Sequence, residues 1–443
     1  MSREMILTFV FAALFVLGVA ATAARTAKDY QTPGPFDPSA QGLCDFHNGI
    51  YYPTRALLEG QSPYGNEYAK SYPVDRQIPF FSPAILVLHA PFALLPLRVA
   101  EVSFFCFSVL VMLAVARLCA SVVTENADAK NLRSARMLWT AGLAALIIFS
   151  RSGHISLFTG YFTLELVLAS FAAIHWGQRR PWLAAFSLVI VSAKPTYILP
   201  MGFLLLARGN FKAVLFGAVL SVVAAALPIA YVAHHEGIRI TGDVDLAAGF
   251  NKVIEDVGIA QEVHMAQEDE SPVLSWTRLD LLAAICKWSG NEPGQLTHLV
   301  VMFAMIASPM FLLFRRSQSS RDDGLVGGTG SLILVAGISS LYHQSYDALL
   351  LVAPLAGIFA GAKYRTNGLW SESPRLVRAV VATLLLIPLY SYFSTRMVLM
   401  KFDGFGEFGF KLATSLNGVS IAIGLVIVCW LLARDSQTES LGT

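Results

Sequence analysis

The stretch MILTFVFAALFVLGVAATAA, Met5 to Ala24, runs for twenty residues without a charge. At the helical rise of about 1.5 Å per residue it is long enough to cross the roughly 30 Å apolar layer of a bilayer. Its end, Ala21-Thr22-Ala23, also has the small-x-small pattern of a signal-peptidase site. A retained anchor fits better, because the later spans balance only if the chain starts on the cytoplasmic side. Composition extends the same reading to the whole chain. Of 443 residues 55% are hydrophobic and 14% charged, with a mean hydropathy of +0.58. Soluble domains carry about a quarter charged residues, so this is a membrane protein.

Further apolar runs cover about 99–123, 137–150, 156–176, 181–192, 196–207, 211–231, 296–314, 327–342, 346–362, 376–393 and 417–433. They specify an all-α polytopic integral membrane protein with about 11–13 transmembrane helices, forming a single membrane domain over residues 1–443. Runs 181–192 and 196–207 are too short to cross alone. They read as a bent hairpin broken at Lys194-Pro195, since proline interrupts a helix. Arg117, Lys130, Arg133 and Arg136 form one basic cluster. Others are Arg179/Arg180, Arg208/Lys212, Arg315/Arg316/Arg321 and Lys363/Arg365/Arg375/Arg378. Alternating spans put all of them on the side of Met1, which the positive-inside rule makes cytoplasmic, with both termini there. IPFFSPAILVLHAPFALLPLR (78–98) then has to be a non-spanning, proline-rich re-entrant or interfacial piece.

The opposite, exoplasmic face receives the 25–98 loop, the 151–155 turn, the Lys194 bend, the 232–295 loop, the turn at His343 and the 394–416 loop. In the 232–295 loop, DLAAGFNKVIEDVGIA and LSWTRLDLLAAICKW have apolar residues at helical spacing and read as interfacial helices of a lid. The acidic run QEDES (267–271) reads as a solvated loop. The net charge of +2 says nothing about nucleic acid, but there is no basic run or aromatic RNA-binding motif, so no nucleic-acid partner is expected, and no G-x-x-x-x-G-K-[ST] or G-x-G-x-x-G is present to hold a nucleotide. The five cysteines are too scattered for a disulfide framework, Cys44–Cys286 being the one pairing conceivable on an oxidising side. His234/His235 with Asp243/Asp245 match no metal-site spacing. No cofactor and no divalent metal is indicated.

The first exoplasmic loop carries DFHNGIYYPTRALLEGQSPYG, Asp45 to Gly65. Tyr51/Tyr52, Arg55 and Leu58/Glu59 fall at helical spacings, giving a short surface helix ended by Gly60 and Pro63, with Asp45 placed to cap it. The pattern D-F-x-x-x-x-Y-Y-x-x-R-A-L-L-x-G-x-x-P-Y after a first span resembles the first loop of glycosyltransferase family 87. That family comprises polyprenyl-phosphate-mannose-dependent enzymes of the GT-C superfamily. FFSPAILVLHAPFALLPLRVAEVSFF, TGYFTLELVLASFAAIHWGQRRPWLAAFSLVIVSAKPTYILP, ESPVLSWTRL and YHQSYDALLLVAPL resemble further segments of it, so the likeness covers roughly residues 5–362. Tyr161 and Thr163 stand where the family has Gln and Asn, and Ser340-Leu341 where Ser-Pro is common.

The resemblance implies a GT-C-like fold in the plasma (inner) membrane. It also implies transfer of a hexose, mannose first, from a polyprenyl-phosphate donor to a glycolipid or glycan acceptor on the exoplasmic face. Asp45 is implied as the general base; at the water–lipid boundary its carboxyl is expected to titrate upward. Tyr51, Tyr52, Arg55 and Tyr64 come with it as substrate-contacting residues. A leaving phosphate needs a cation, and the exoplasmic candidates are Arg55, Arg76, Arg151, Lys194, Arg278 and Arg396. Lys194 and Arg278 lead because they lie in matched segments, although Arg278 has Asp280 as a nearby alternative partner. Glu165 is a candidate ion-pair partner for Lys194. His343, Tyr346 and Asp347 are implied at the sugar, Asp347 orienting His343 or capping its turn. A secondary transporter of about twelve spans is the competing class, but it calls for inverted repeats and mid-membrane sites, and no repeat stands out.

Overall fold

The computed structural model describes residues 2–34, 37–77, 82–128, 130–267, 270–318, 322–361 and 368–437. Phe80-Phe81 of the second matched segment, Glu268-Asp269 of the acidic run, and the basic residues Arg321, Lys363 and Arg365 lie outside that set. The long helices are α1 (Arg3–Lys28), α2 (Leu97–Val123), α3 (Leu132–Phe149), α4 (Arg151–Thr159), α5 (Thr163–Trp176), α6 (Pro181–Val191), α7 (Pro195–Ala207), α8 (Phe211–Thr241), α9 (Leu246–Met265), α10 (Leu281–Ser289), α11 (Gln295–Gln318), α12 (Gly328–Ser340), α13 (Val352–Ala360), α14 (Arg375–Tyr390) and α15 (Gly406–Gln437). Among the described residues there is no strand, only an isolated antiparallel bridge between Arg278 and Gln344. The fold is all-α and polytopic.

Six helices, α1, α2, α3, α8, α11 and α15, are long and apolar enough to cross a membrane. Five shorter apolar segments, α5, α6, α7, α12 and Ser345–Ala360, accompany them. Helix α1 shows why the opening stretch behaves as it does. Ser2 accepts a hydrogen bond from the Met5 amide, Glu4 sits in the first turn, and Arg25 and Lys28 in the last, all matched to the helix dipole. Its Val16 and Leu17 are exposed, as a lipid-facing surface requires. Helix α1 packs along α3, α3 along α2, α2 along α5 and α5 along α6, while α12 and α14 gather around α15. The break between α6 and α7 falls where Pro195 takes the first helical position of α7, with Lys194 extended before it.

The expected boundary of the second long loop is corrected. Helix α8 does not stop near 231 but continues through Thr241, so His234 and His235 are helical, and Pro228 sits inside the helix. Asp245 then caps α9 by accepting from the Ala248 amide at 3.0 Å, and α9 packs back along α8. Two glycines permit that contact: a Cβ at Gly249 would lie 1.8 Å from the Ala233 carbonyl oxygen, and one at Gly237 2.1 Å from the Asp245 carbonyl oxygen. The 394–416 stretch is corrected likewise: it is largely helical, α15 beginning at Gly406. The segment from Pro83 to Leu95 forms two short helical turns, Pro83–Leu88 and Ala90–Ala93, before α2 starts. The first loop and the second meet at one end of the bundle. The Ser62 amide donates to Glu236 at 2.9 Å, the Tyr231 hydroxyl to the Leu58 carbonyl at 3.2 Å, and Arg76 pairs with Glu270.

Candidate active site

The helix carrying Asp45 is built in three pieces: Cys44–Phe46, a π-helical turn His47–Tyr51, and Tyr52–Leu58. It ends at Gly60, whose φ of +72° is the left-handed turn glycine adopts at little cost. Its N-cap is Leu43, not Asp45, so the expected capping role gives way to a carboxylate inside the first turn. Leu43 holds a left-handed φ of 61°, unusual for a residue with a Cβ, while its amide donates to the Phe158 carbonyl at 2.8 Å. Opposite it stands Gly160, where a Cβ would come within 2.7 Å of the Phe46 side chain. Those two positions dock the Asp45 turn onto the end of α4. Asp45 is partly exposed, and its charge is felt at the Tyr161 and Tyr346 hydroxyls.

Behind those tyrosines lies a buried ionic core. The Lys194 ammonium donates to Asp347 Oδ2 at 2.7 Å, and the Tyr197 hydroxyl to Asp347 Oδ1 at 2.8 Å. His343 Nδ1 and the Gln344 amide approach Oδ2 at 3.1 and 2.9 Å. Four aromatic rings surround the ammonium, those of Tyr161, Tyr197, Tyr342 and Tyr346, at 5.2–5.8 Å. A lysine removed from water needs a counter-ion, and Asp347, fully buried, supplies it while the ring faces add cation–π attraction. Asp347 thus both orients His343 and closes the capping box of its own turn, Ser345–Leu351. The pairing expected between Lys194 and Glu165 is corrected: Glu165 faces His89 at 3.0 Å.

A second buried pair stands beside the first. Arg278 donates two parallel hydrogen bonds to Asp280, at 2.9 and 3.0 Å, and lies 4.9 Å from the Tyr342 ring centre. Burial raises and the adjacent guanidinium lowers the Asp280 carboxyl; the guanidinium wins, and it titrates below the usual range. Tyr342 also donates to Glu270, which receives Arg76 as well. The solvated-loop reading of QEDES is therefore corrected at Glu270, which is buried, because two donors from separate elements converge on its carboxylate.

Asp45, Lys194, Arg278, His343, Tyr346 and Asp347 all belong to this end of the molecule. The rest of the first motif is placed elsewhere. Tyr51 is buried with its hydroxyl donating to the Leu95 carbonyl at 2.9 Å, and Tyr64 is buried. Arg55 points outward to Glu59 at 3.3 Å. Tyr52 is half-buried between His47 and Tyr72. The Arg396 side chain lies outside the described set. All five cysteines are free. Tyr197, Tyr342, Glu270 and Asp280 were not among the expected site residues. Tyr342 lies in the non-helical link between α12 and the Ser345–Leu351 turn that carries Tyr346, so helical spacing did not relate the two. Glu270, half-hidden in an acidic run, gave no signal either.

An all-helical membrane body in which the buried Lys194–Asp347 and Arg278–Asp280 pairs stand behind a partly exposed carboxylate is the frame of a membrane-embedded enzyme. The sequence places it further: residues 80–309 match the model of glycosyltransferase family 87, and the chain belongs to that family. It is a membrane glycosyltransferase, which sets the transporter reading aside. Searches of curated proteins and of solved structures gave no match.

Proposed function

We propose that the chain is an inverting transferase that moves a hexose, mannose in the first instance, from a polyprenyl-phosphate donor to a hydroxyl of a glycolipid or glycan, on the exoplasmic face of the plasma (inner) membrane. Asp45 takes the acceptor proton as the hydroxyl oxygen attacks the anomeric carbon. The carbon–oxygen bond to phosphate breaks on the opposite face, and polyprenyl phosphate leaves with the electron pair. A placed base of this kind contributes about 10²–10⁴-fold. The observation that carries the reading is the position of Asp45: a partly exposed carboxylate in the first turn of its helix, electrostatically coupled to Tyr161 and Tyr346. Tyr342 and Tyr346, also partly exposed, are suited to stack on a sugar ring. The Lys194–Asp347 pair fixes these rings and is better suited to holding the site rigid than to carrying a free positive charge. No metal is required by the step.

The test uses purified protein in detergent with synthetic polyprenyl-phosphate mannose and a lipid extract of the source cells. Wild type is expected to transfer label and release polyprenyl phosphate, and Asp45→Asn to lose at least about a hundredfold in rate at unchanged thermal midpoint. Full activity in Asp45→Asn would remove Asp45 as base. Absence of transfer from every polyprenyl-phosphate sugar offered to wild type would remove the donor class.

A further inference from the structure

Lys194 and Arg278 are each neutralised by a buried carboxylate, Asp347 and Asp280. Two other arginines are not so matched. Arg151, the first residue of α4, is 8% exposed, and its Nη1 meets only the Ser391 carbonyl and hydroxyl oxygens, at 3.4 and 3.3 Å. Among the described residues no carboxylate lies within ion-pairing distance of it. Arg25, near the end of α1, lies 4.2 Å from the Phe158 ring centre and has Asp29 at 3.5 Å, in a half-exposed pair. Both guanidiniums line one cavity of about 560 Å³.

The histidine between them adds no charge. Arg25 donates to His154 Nε2 at 2.6 Å, so the ring proton sits on Nδ1, which donates to Thr22 Oγ1 at 2.9 Å. The Thr22 hydroxyl in turn donates to the Gly18 carbonyl. Burial and the Arg25 charge hold His154 down at about 4, neutral at physiological pH. The cavity therefore faces its contents with two guanidiniums against the single carboxylate of Asp29. A buried guanidinium without a counter-ion is costly, and an anion arriving in the cavity lowers that cost.

The remaining walls say what kind of anion. Ile148, Phe149 and Ile155 supply apolar lining and Trp276 and Tyr392 aromatic lining, beside the polar Gln41, Ser150 and Thr395, and Phe149 and Tyr392 are well exposed. Lipid-facing α1, with Val16 and Leu17 exposed, leads into it. A small inorganic ion would use the guanidiniums and leave the apolar and aromatic surface idle. A phosphate ester carried on a hydrocarbon chain uses both, its head at the forked donors and its chain along the bilayer. We infer that this cavity is a binding site for the phosphate headgroup of an anionic amphiphile, held by Arg25 and Arg151. The inference does not require Asp45 to be the base. One residue on from Arg151, Ser152 Oγ lies 2.7 Å from the Ser345 carbonyl and 2.8 Å from that of Leu389, so α4 ties the cavity to the turn that carries Asp347.

The experiment measures ligand binding by native mass spectrometry, and thermal midpoint with and without ligand, on the full chain in phosphatidylcholine nanodiscs. The probes are farnesyl phosphate, phosphatidic acid and inorganic phosphate. Wild type is expected to bind a phosphate amphiphile and be stabilised by it, with inorganic phosphate at least about tenfold weaker. Arg151→Gln, which removes an unmatched buried charge, is expected to keep or raise the ligand-free midpoint and to weaken amphiphile binding about tenfold or more; Arg151→Lys should fall between. Arg25→Gln gives the same readout should Arg151→Gln fold poorly. Preference for farnesyl phosphate would mark a lipid-linked substrate or product, equal binding of phosphatidic acid a membrane phospholipid; either supports the site. Undiminished amphiphile binding by both variants, or inorganic phosphate binding as tightly as the amphiphiles, would overturn it.

Discussion

At the residue scale the molecule is governed by how each ionisable side chain is compensated. Arg278 and Asp280 are both buried and Arg278 donates two hydrogen bonds to Asp280, so removing one partner strands the other. Asp280→Asn is expected to destabilise the protein by about 3–5 kcal/mol, read as a drop in chemical-denaturation midpoint. Lys287 is the opposite case. It is fully buried on α10, with its ammonium donating to the Thr414 carbonyl at 3.2 Å. Burial, with Arg278 adding repulsion, pushes it down to about 8. Between that value and its ordinary 10.5 the unfolded chain holds more protons than the folded one, so this lysine's contribution to stability improves as pH rises through that window. Lys287→Met is expected to raise the thermal midpoint at pH 7, and its advantage over wild type to shrink by pH 10. A constant advantage across that range would show that the lysine does not titrate there.

At the element scale the decisive contacts are those that bring the two long loops together. Helix α9 lies so close to α8 that only glycine fits at 249, and its Asp256 approaches Gly65 of the first loop. Gly249→Val is expected to lift α9 away, increasing the rate of limited proteolysis within 242–295 while leaving the transmembrane helices protected. An unchanged cleavage rate would mean that the contact is not needed to hold α9 down. The Asp45 turn depends on similar closeness, Gly160 admitting Phe46 and Leu43 accepting a left-handed backbone. Helix starts and stops of this kind were legible: Pro195 at the head of α7 and Gly60 after the Asp45 helix stand where their restricted or permissive φ predicts. The extension of α8 through 241 was not, because Pro228 and two histidines weaken the apolar signal although neighbouring α9 keeps the helix intact.

At the scale of the whole molecule the chain is an all-helical membrane body that concentrates its chemistry at one end. Class and family could be read from the amino acids, because lipid solvation demands long apolar helices and because several segments resemble the family, those between 82 and 278 falling within the matched residues 80–309. Asp45, Lys194, Arg278, His343 and Asp347 could be singled out one at a time, since a charge beside an apolar run is costly wherever it lies. Of their partners only the local ones could be named, Asp280 for Arg278 and His343 for Asp347; the distant ones could not. Lys194 was equally free to take Glu165 or Asp347, residues far apart in the chain, and only the packing of α7 against the Ser345 turn chose Asp347. Glu270 looked like part of a solvated run until Arg76 and Tyr342 converged on it. The unmatched positive charge at Arg25 and Arg151 is likewise a property of neighbours, not of composition. The sequence by itself determined which segments leave water and which residues carry charge there. Tertiary structure alone decided which charges cancel, because Coulomb and hydrogen-bond energies depend on distances of a few ångströms between segments that local periodicity does not relate.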